Sequence, residues 1–222
     1  MTEKTKGGGK MSASLEVELI AITQFLKASG SENPLDEFIE FAGRLCYRSM
    51  PWGGGEASKY VMQRVHDGHG SIIEHPSATF LVTGISRACS HQIVRHRIAS
   101  YSQESQRYVD MQDSDFVTPP AIAGNDEAMI VWNAFINQCT LVYSEFRDLG
   151  IRKEDARFVL PNATATKILI TMNFRSFRHF FEMRCKKDAQ WEIRNVALKM
   201  LDELFWYCPG VFTDLYERFL ID

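Results

Sequence analysis

Residues 125–149, NDEAMIVWNAFINQCTLVYSEFRDL, set the class of the fold. Trp132, Phe135, Ile136, Cys139, Val142, Tyr143, Phe146 and Leu149 recur at the 3.6-residue period of one helix face, and Gly150 follows as the stop. The stretch predicts a long helix from Asn125 to Leu149. Working outward toward the C-terminus, a short helix ends at Pro161, and Thr166, Ile168, Ile170 and Met172 alternate as a strand. A helix then starts near Ser176. Ile193, Val196, Ala197, Met200, Leu201, Leu204, Phe205 and Cys208 mark another, which ends at Pro209-Gly210.

Toward the N-terminus, Ala78, Phe80 and Val82 read as an inward-facing strand flanked by Thr79 and Thr83. Ser86 caps a helix running to about Arg97, and the polar, serine-rich stretch from Ile98 to Tyr108 predicts a loop. A helix opens at Asn33-Pro34, with Asp36 and Glu37 in its first turn and Phe38, Phe41, Ala42, Leu45 and Cys46 as its buried face. Gly53-Gly54-Gly55 is a loop, and a helix through Tyr60, Val61, Arg64 and Val65 stops near Gly68. Leu15, Val17, Leu19 and Ala21 suggest a first strand, preceded by a polar, flexible leader or artificial remnant at residues 1–13. Helices dominate and strict βαβ alternation is absent, so the expected class is α+β: a helix-rich single domain over residues 14–222.

The composition bounds the function. Hydrophobic residues make up 45% of the 222 and charged residues 24%, the balance of a globular chain and not of a disordered one. No apolar run reaches the roughly 18 residues of a membrane span, and no signal peptide is evident, so the expected location is the cytoplasm. The five cysteines are odd in number and scattered, as reduced thiols would be. A net charge of −3 argues against general attraction to nucleic acid or anionic lipid. The charge is uneven, however. Between Arg87 and Arg107 four arginines face one acid, Glu104, and between Arg175 and Lys187 five basic residues face Glu182. Solvated helix faces would explain such patches, and so would compact anionic ligands such as phosphates.

His66, His69, His75, His91 and His96 cluster in sequence, yet no H-E-x-x-H or paired cysteine spacing accompanies them, so no metal is expected. Neither G-x-x-x-x-G-K nor a strand-linked G-x-G-x-x-G occurs, which leaves side-chain arginines to hold any dinucleotide. The informative segment is His91 to Tyr108, HQIVRHRIASYSQESQRY. On a continuing helix Gln92 and Arg95 would share a face, while Arg95 and Arg97 diverge and offer bidentate forks to phosphate oxygens. The loop after them supplies amides, hydroxyls and backbone N–H groups suited to a uracil edge or a phosphate. Cys89 shares a face with Ile85, Ala88 and Ile93 and reads as packing.

Arg95-His96-Arg97, seven residues and then Ser105, continued by Gln106-Arg107-Tyr108, resembles the signature of the flavin-dependent thymidylate synthases, the alternative or thymidylate-synthase-complementing family. Gly68-His69-Gly70-Ser71-Ile72-Ile73-Glu74-His75, Ala156-Arg157-Phe158-Val159-Leu160-Pro161, Asn173-Phe174-Arg175 and Ala189-Gln190-Trp191-Glu192 fit the same family in order. The resemblance implies a small, mostly antiparallel sheet. It also implies methylation of dUMP to dTMP, with methylenetetrahydrofolate as carbon donor, tightly bound FAD and NADPH as reductant. A homotetramer with active sites shared between subunits follows from the same likeness.

Carried over by position, the cofactor contacts are Ser71, Arg95, His96, Arg97, Gln103, Asn173, Arg175 and His179. The dUMP contacts are Gln92, Arg95, Gln103, Glu104, Ser105, Gln106, Arg107, Arg157 and Arg184, and Arg184 is the catalytic, uracil-activating residue. Backbone N–H groups of residues 104–106 join them. His69 and Glu74 lie in a matching segment near flavin and folate. Gln103 stands where many members carry glutamate, and His179 where some carry asparagine. The alternatives are a flavin oxidoreductase acting on another nucleotide, and a nucleotide-binding module without turnover. The completeness of the motif set argues against a dead site.

Overall fold

The computed structural model describes residues 13–51 and 56–221. Apart from Ala13 the expected leader lies outside the described residues, as does the Gly53-Gly54-Gly55 loop. In chain order the helices are α1 (Pro34–Tyr47), α2 (Ala57–His66), α3 (Arg87–Ile93), α4 (Pro120–Ala123), α5 (Asp126–Asp148), α6 (Lys153–Ala156), α7 (Phe174–Arg184), α8 (Trp191–Tyr207) and α9 (Pro209–Tyr216). The strands are β1 (Glu16–Ile22), β2 (Ser77–Ser86), β3 (Ser100–Gln103) and β4 (Ala165–Asn173), in one small antiparallel sheet ordered β1-β2-β4-β3. Helix-rich α+β is thus the class observed. Among the described residues no helix is long and apolar enough to cross a membrane.

Two compact units make up the chain. The first holds the described residues of Met1–Glu16 together with Thr83–His91 and Gln103–Lys167; the second holds Val17–Val82, Gln92–Ser102 and the residues from Ile168 onward. In the first unit the Asn125 side chain accepts the Ala128 N–H and caps α5. Its apolar stripe is only partly covered. Ile136, Cys139 and Tyr143 are buried, with Tyr143 packed beside Met111 and Ala156. Phe135 and Leu149, expected on the buried face, are exposed, together with Ile130, Val131 and Leu141. A helix of 23 residues spans about 35 Å, more than the short α4 and α6 beside it can cover. Gly84 has φ +69°, and a Cβ there would come within 1.8 Å of the Ser14 carbonyl, so only glycine fits.

The second unit carries the larger core. Phe80 and Val82 of β2, Ile168, Ile170 and Met172 of β4, and Phe177, Phe180 and Phe181 of α7 are buried. Burial of each such side chain contributes roughly 1.5–3 kcal/mol. The predicted stripe of α8 is buried from Ile193 to Leu204, and Cys208 closes it. The chain then departs from expectation: Pro209-Gly210 ends α8 but also begins α9, with proline at a position where its missing N–H costs nothing.

Three further corrections concern elements. The helix α3 stops at Ile93, four residues short of Arg97, and the expected loop from Ile98 contains the strand β3. The buried face of α1 is Leu35, Ile39 and Gly43 with Asp36, Glu37 and Glu40, while Leu45 and Cys46 are exposed. Hydrogen bonds explain the rotated face. Asp36 accepts from the Ser58 hydroxyl at 2.6 Å, the Cys208 thiol at 3.0 Å and the Gly210 N–H at 3.1 Å. Glu37 accepts the Ser29 N–H at 2.9 Å, and Arg44 donates to Glu40 at 2.7 Å. Hydrophobic periodicity does not register acids tethered in this way.

Candidate functional site

The strand β4 passes directly into α7 at Asn173, whose side chain accepts the Ser176 N–H at 2.9 Å and caps the helix two residues before the expected start. With Phe177, Phe180 and Phe181 in the core, Arg175, His179 and Met183 fall on another face at i, i+4 and i+8. They border a cavity of about 770 Å³ within the second unit. Its remaining walls are Glu74, the turn Arg95-His96-Arg97-Ile98, the end of β4 at Met172 and Asn173, Ser176, and Arg184 at the end of α7.

Six expected cofactor residues therefore meet at one place: Arg95, His96, Arg97, Asn173, Arg175 and His179. Ser71 lies in the 3-10 turn Gly70–Glu74 without lining the cavity. Gln103 is in the first unit, where its side-chain amide donates to the Ser90 and Thr166 hydroxyls at 2.8 and 3.3 Å. Ile98, Met172, Ser176 and Met183 were not anticipated as lining. Met183 was within reach of sequence reasoning, being four residues beyond His179.

Four arginines and one carboxylate, Glu74, give the cavity its charge. Arg175 pairs with Glu74 and lies against Gly70, where a Cβ would come within 3.1 Å of its Nε. Among the described residues the side chains of Arg95 and Arg97 have no ion pair or hydrogen bond, so both cations remain available to an anion. His96 is half-buried. Its Nε2 accepts the Arg184 Nε–H at 3.0 Å, and its ring stands edge-on to Phe180 with centroids 4.9 Å apart. Burial, then the nearby Arg184 and His179, push its pKa down to about 4. The ring is neutral near pH 7 and carries its hydrogen on Nδ1. Arg178, in the same basic patch, serves the fold: it holds both carboxylate oxygens of Asp214 at 2.6 and 2.7 Å.

The expected dUMP residues divide between the units. Gln92, Arg95 and Arg184 belong to the second; Gln103, Glu104, Ser105, Gln106, Arg107 and Arg157 belong to the first. Because α3 ends at Ile93, Gln92 and Arg95 share no helix face; the Arg95 N–H bonds the Gln92 carbonyl in a turn at 3.2 Å. In the first unit the Ser105 carbonyl accepts the Tyr108 and Val109 N–H groups, and its hydroxyl accepts the Arg107 N–H at 3.3 Å. The Glu104 N–H, expected to face ligand, is engaged by the Lys167 carbonyl at 3.0 Å. Arg107 pairs with Glu154 at 3.2 Å, and Arg157 Nε donates to the Glu154 carbonyl at 3.1 Å. Cys89 is fully buried.

Comparison with known proteins adds an independent line. A family model described as thymidylate synthase complementing protein matches residues 31–210. A flavin-dependent thymidylate synthase of Geobacter sulfurreducens is 43% identical over 185 residues, covering 79% of this chain and 80% of the relative. Another, from Mycolicibacterium gilvum, is 38% identical over 234 residues, covering 95% and 93%. Among solved structures, the UMP/dUMP methylase PolB of Streptomyces cacaoi, bound with 5-Br dUMP, matches with a TM-score of 0.78 at 24% identity, over 93% of this chain and 96% of that one. That likeness supports the fold.

Proposed function

The chain belongs to the thymidylate synthase complementing family, and from that premise we propose that it is a flavin-dependent thymidylate synthase converting dUMP to dTMP. The observation that carries this reading is the cavity where Arg95 and Arg97, without a partner among the described residues, meet Arg184 held by a neutral histidine. Its volume is within the roughly 300–1,000 Å³ of ligand pockets, and its guanidiniums suit the pyrophosphate of a dinucleotide. Arg95, His96, Arg97, Asn173, Arg175 and His179 would hold FAD, with Ser71 and Gln103 completing the set. When bound, FAD supplies a hydride taken from NADPH, and methylenetetrahydrofolate supplies the carbon.

The chain's own residues orient and polarise. Arg184 faces the pyrimidine, and its planar fork stabilises negative charge developing on the N3 and carbonyl edge. Fixed donors of this kind contribute about 2.7–4 kcal/mol where water is excluded. Arg95, Arg107 and Arg157 neutralise the phosphate, and Gln92, Gln103, Glu104, Ser105 and Gln106 provide hydrogen bonds to the rest of the nucleotide. The same proposal includes a homotetramer with shared sites, supported by the exposed apolar residues Ile130, Val131, Phe135 and Leu141 on α5. Residues 14–222 act as one cytoplasmic catalytic domain; the family match runs through both units. The absorption spectrum of the purified protein is the first test. Flavin bands near one per chain are expected, and a colourless protein that takes up no added FAD contradicts the reading.

A further inference from the structure

The last carbonyls of a helix lack intrahelical partners. At the end of α3 one of them, Ile93 O, accepts the His96 N–H at 3.1 Å. The Tyr101 hydroxyl reaches the same carbonyl at 2.9 Å and the His96 carbonyl at 2.8 Å. A single O–H proton is shared by two acceptors, so one side chain ties the backbone on both sides of Val94-Arg95. Burial pushes this hydroxyl up to about 12, which keeps it a donor throughout the neutral range. His96 in turn accepts from Arg184 at 3.0 Å. The contacts form a continuous path from the Tyr101 hydroxyl through His96 to the Arg184 guanidinium.

We propose that Tyr101 is a positioning residue for the reaction: by fixing the His96 backbone it sets the direction of Arg184 and the spread of Arg95 and Arg97 along the cavity wall. The proposal rests on the reading of Arg184 as the group that faces the pyrimidine. Phenylalanine at this position keeps the ring and removes only the oxygen. The His96 carbonyl then loses its partner, and the imidazole that aims Arg184 is no longer held from behind.

The test is a double-mutant cycle of Tyr101→Phe and His96→Ala, read in two ways. One is the affinity of the purified protein, as isolated, for dUMP by calorimetry; the other is single-turnover dTMP formation by the pre-reduced, flavin-loaded protein. Alone, Tyr101→Phe is expected to weaken dUMP binding and slow turnover by about tenfold each, the worth of one hydrogen bond. In the His96→Ala background the same change is expected to cost less than about twofold, because the path is already broken. Equal factors in the two backgrounds mark a purely structural residue and overturn the proposal. Unchanged dUMP binding in Tyr101→Phe overturns it too, as does failure of that variant to fold, since a hydroxyl that only positions is dispensable for folding. Wild-type protein that binds dUMP but makes no dTMP contradicts the functional reading alone, and the binding cycle still decides Tyr101. Wild-type protein that binds no dUMP overturns both.

Discussion

Arg184 closes α7 with its Nε committed to His96, while its terminal nitrogens have no protein partner among the described residues. That arrangement leaves the fork free for a ligand edge. Arg184→Ala and Arg184→Lys are both expected to retain flavin and to lose most dTMP formation, because lysine keeps the charge without the planar fork. Single-turnover conversion at saturating dUMP checks this, and a near wild-type rate in Arg184→Ala would make the residue structural. His96 supplies a pH signature. Its folded pKa, about 4, lies below its ordinary 6.5, so as pH falls the unfolded chain takes up the proton first. Its contribution to stability is complete above pH 6.5 and is lost progressively toward pH 4. His96→Gln keeps an acceptor but does not titrate, so the melting-temperature difference between wild type and variant should change across that window. A constant difference contradicts the depressed pKa. Spacing placed Arg95, His96 and Arg97 together and put Arg175 four residues from His179. The Arg184 to His96 bond joins residues 88 apart, and no local pattern encodes it.

At the scale of elements, the helices were legible where apolar residues alone filled the buried face, as in α8 from Ile193 to Leu204. The strand β3 was hidden because Ser100, Ser102 and Gln103 are polar and its place in the sheet depends on pairing with β4. On α1 the apolar pattern points away from the buried face because Asp36, Glu37 and Glu40 lie inside with partners. Asp36 is the joint of this region: it links α1 to Ser58 of α2 and to Cys208 and Gly210 where α8 meets α9. Asp36→Ala leaves those donors unpaired in the core and should cost about 1–3 kcal/mol. Thermal or denaturant unfolding measures it, and unchanged stability would show that the acid is dispensable there. A Cβ at Gly210 would come within 2.6 Å of Asp36 Oδ1, so Gly210→Ala strains the same joint.

For the molecule as a whole, the cavity of the second unit gathers six of the eight residues proposed for the flavin, Ser71 and Gln103 lying outside it, whereas the residues proposed for dUMP belong partly to one unit and partly to the other. The exposed apolar residues of α5 suit burial against other copies of the chain. Light scattering should therefore give about four times the 25.4 kDa chain mass, and a flavin-loaded, active monomer would exclude shared sites. Transfer of a one-carbon unit onto dUMP is proposed for this arginine-rich cavity. Its most direct test is to reduce the flavin-loaded protein anaerobically, add dUMP and methylenetetrahydrofolate labelled in the transferred carbon, and analyse the nucleotide by mass spectrometry. dTMP carrying the label in its 5-methyl group is expected, in near one-to-one yield with reduced flavin. Oxidation of the flavin with dUMP recovered unchanged would contradict it.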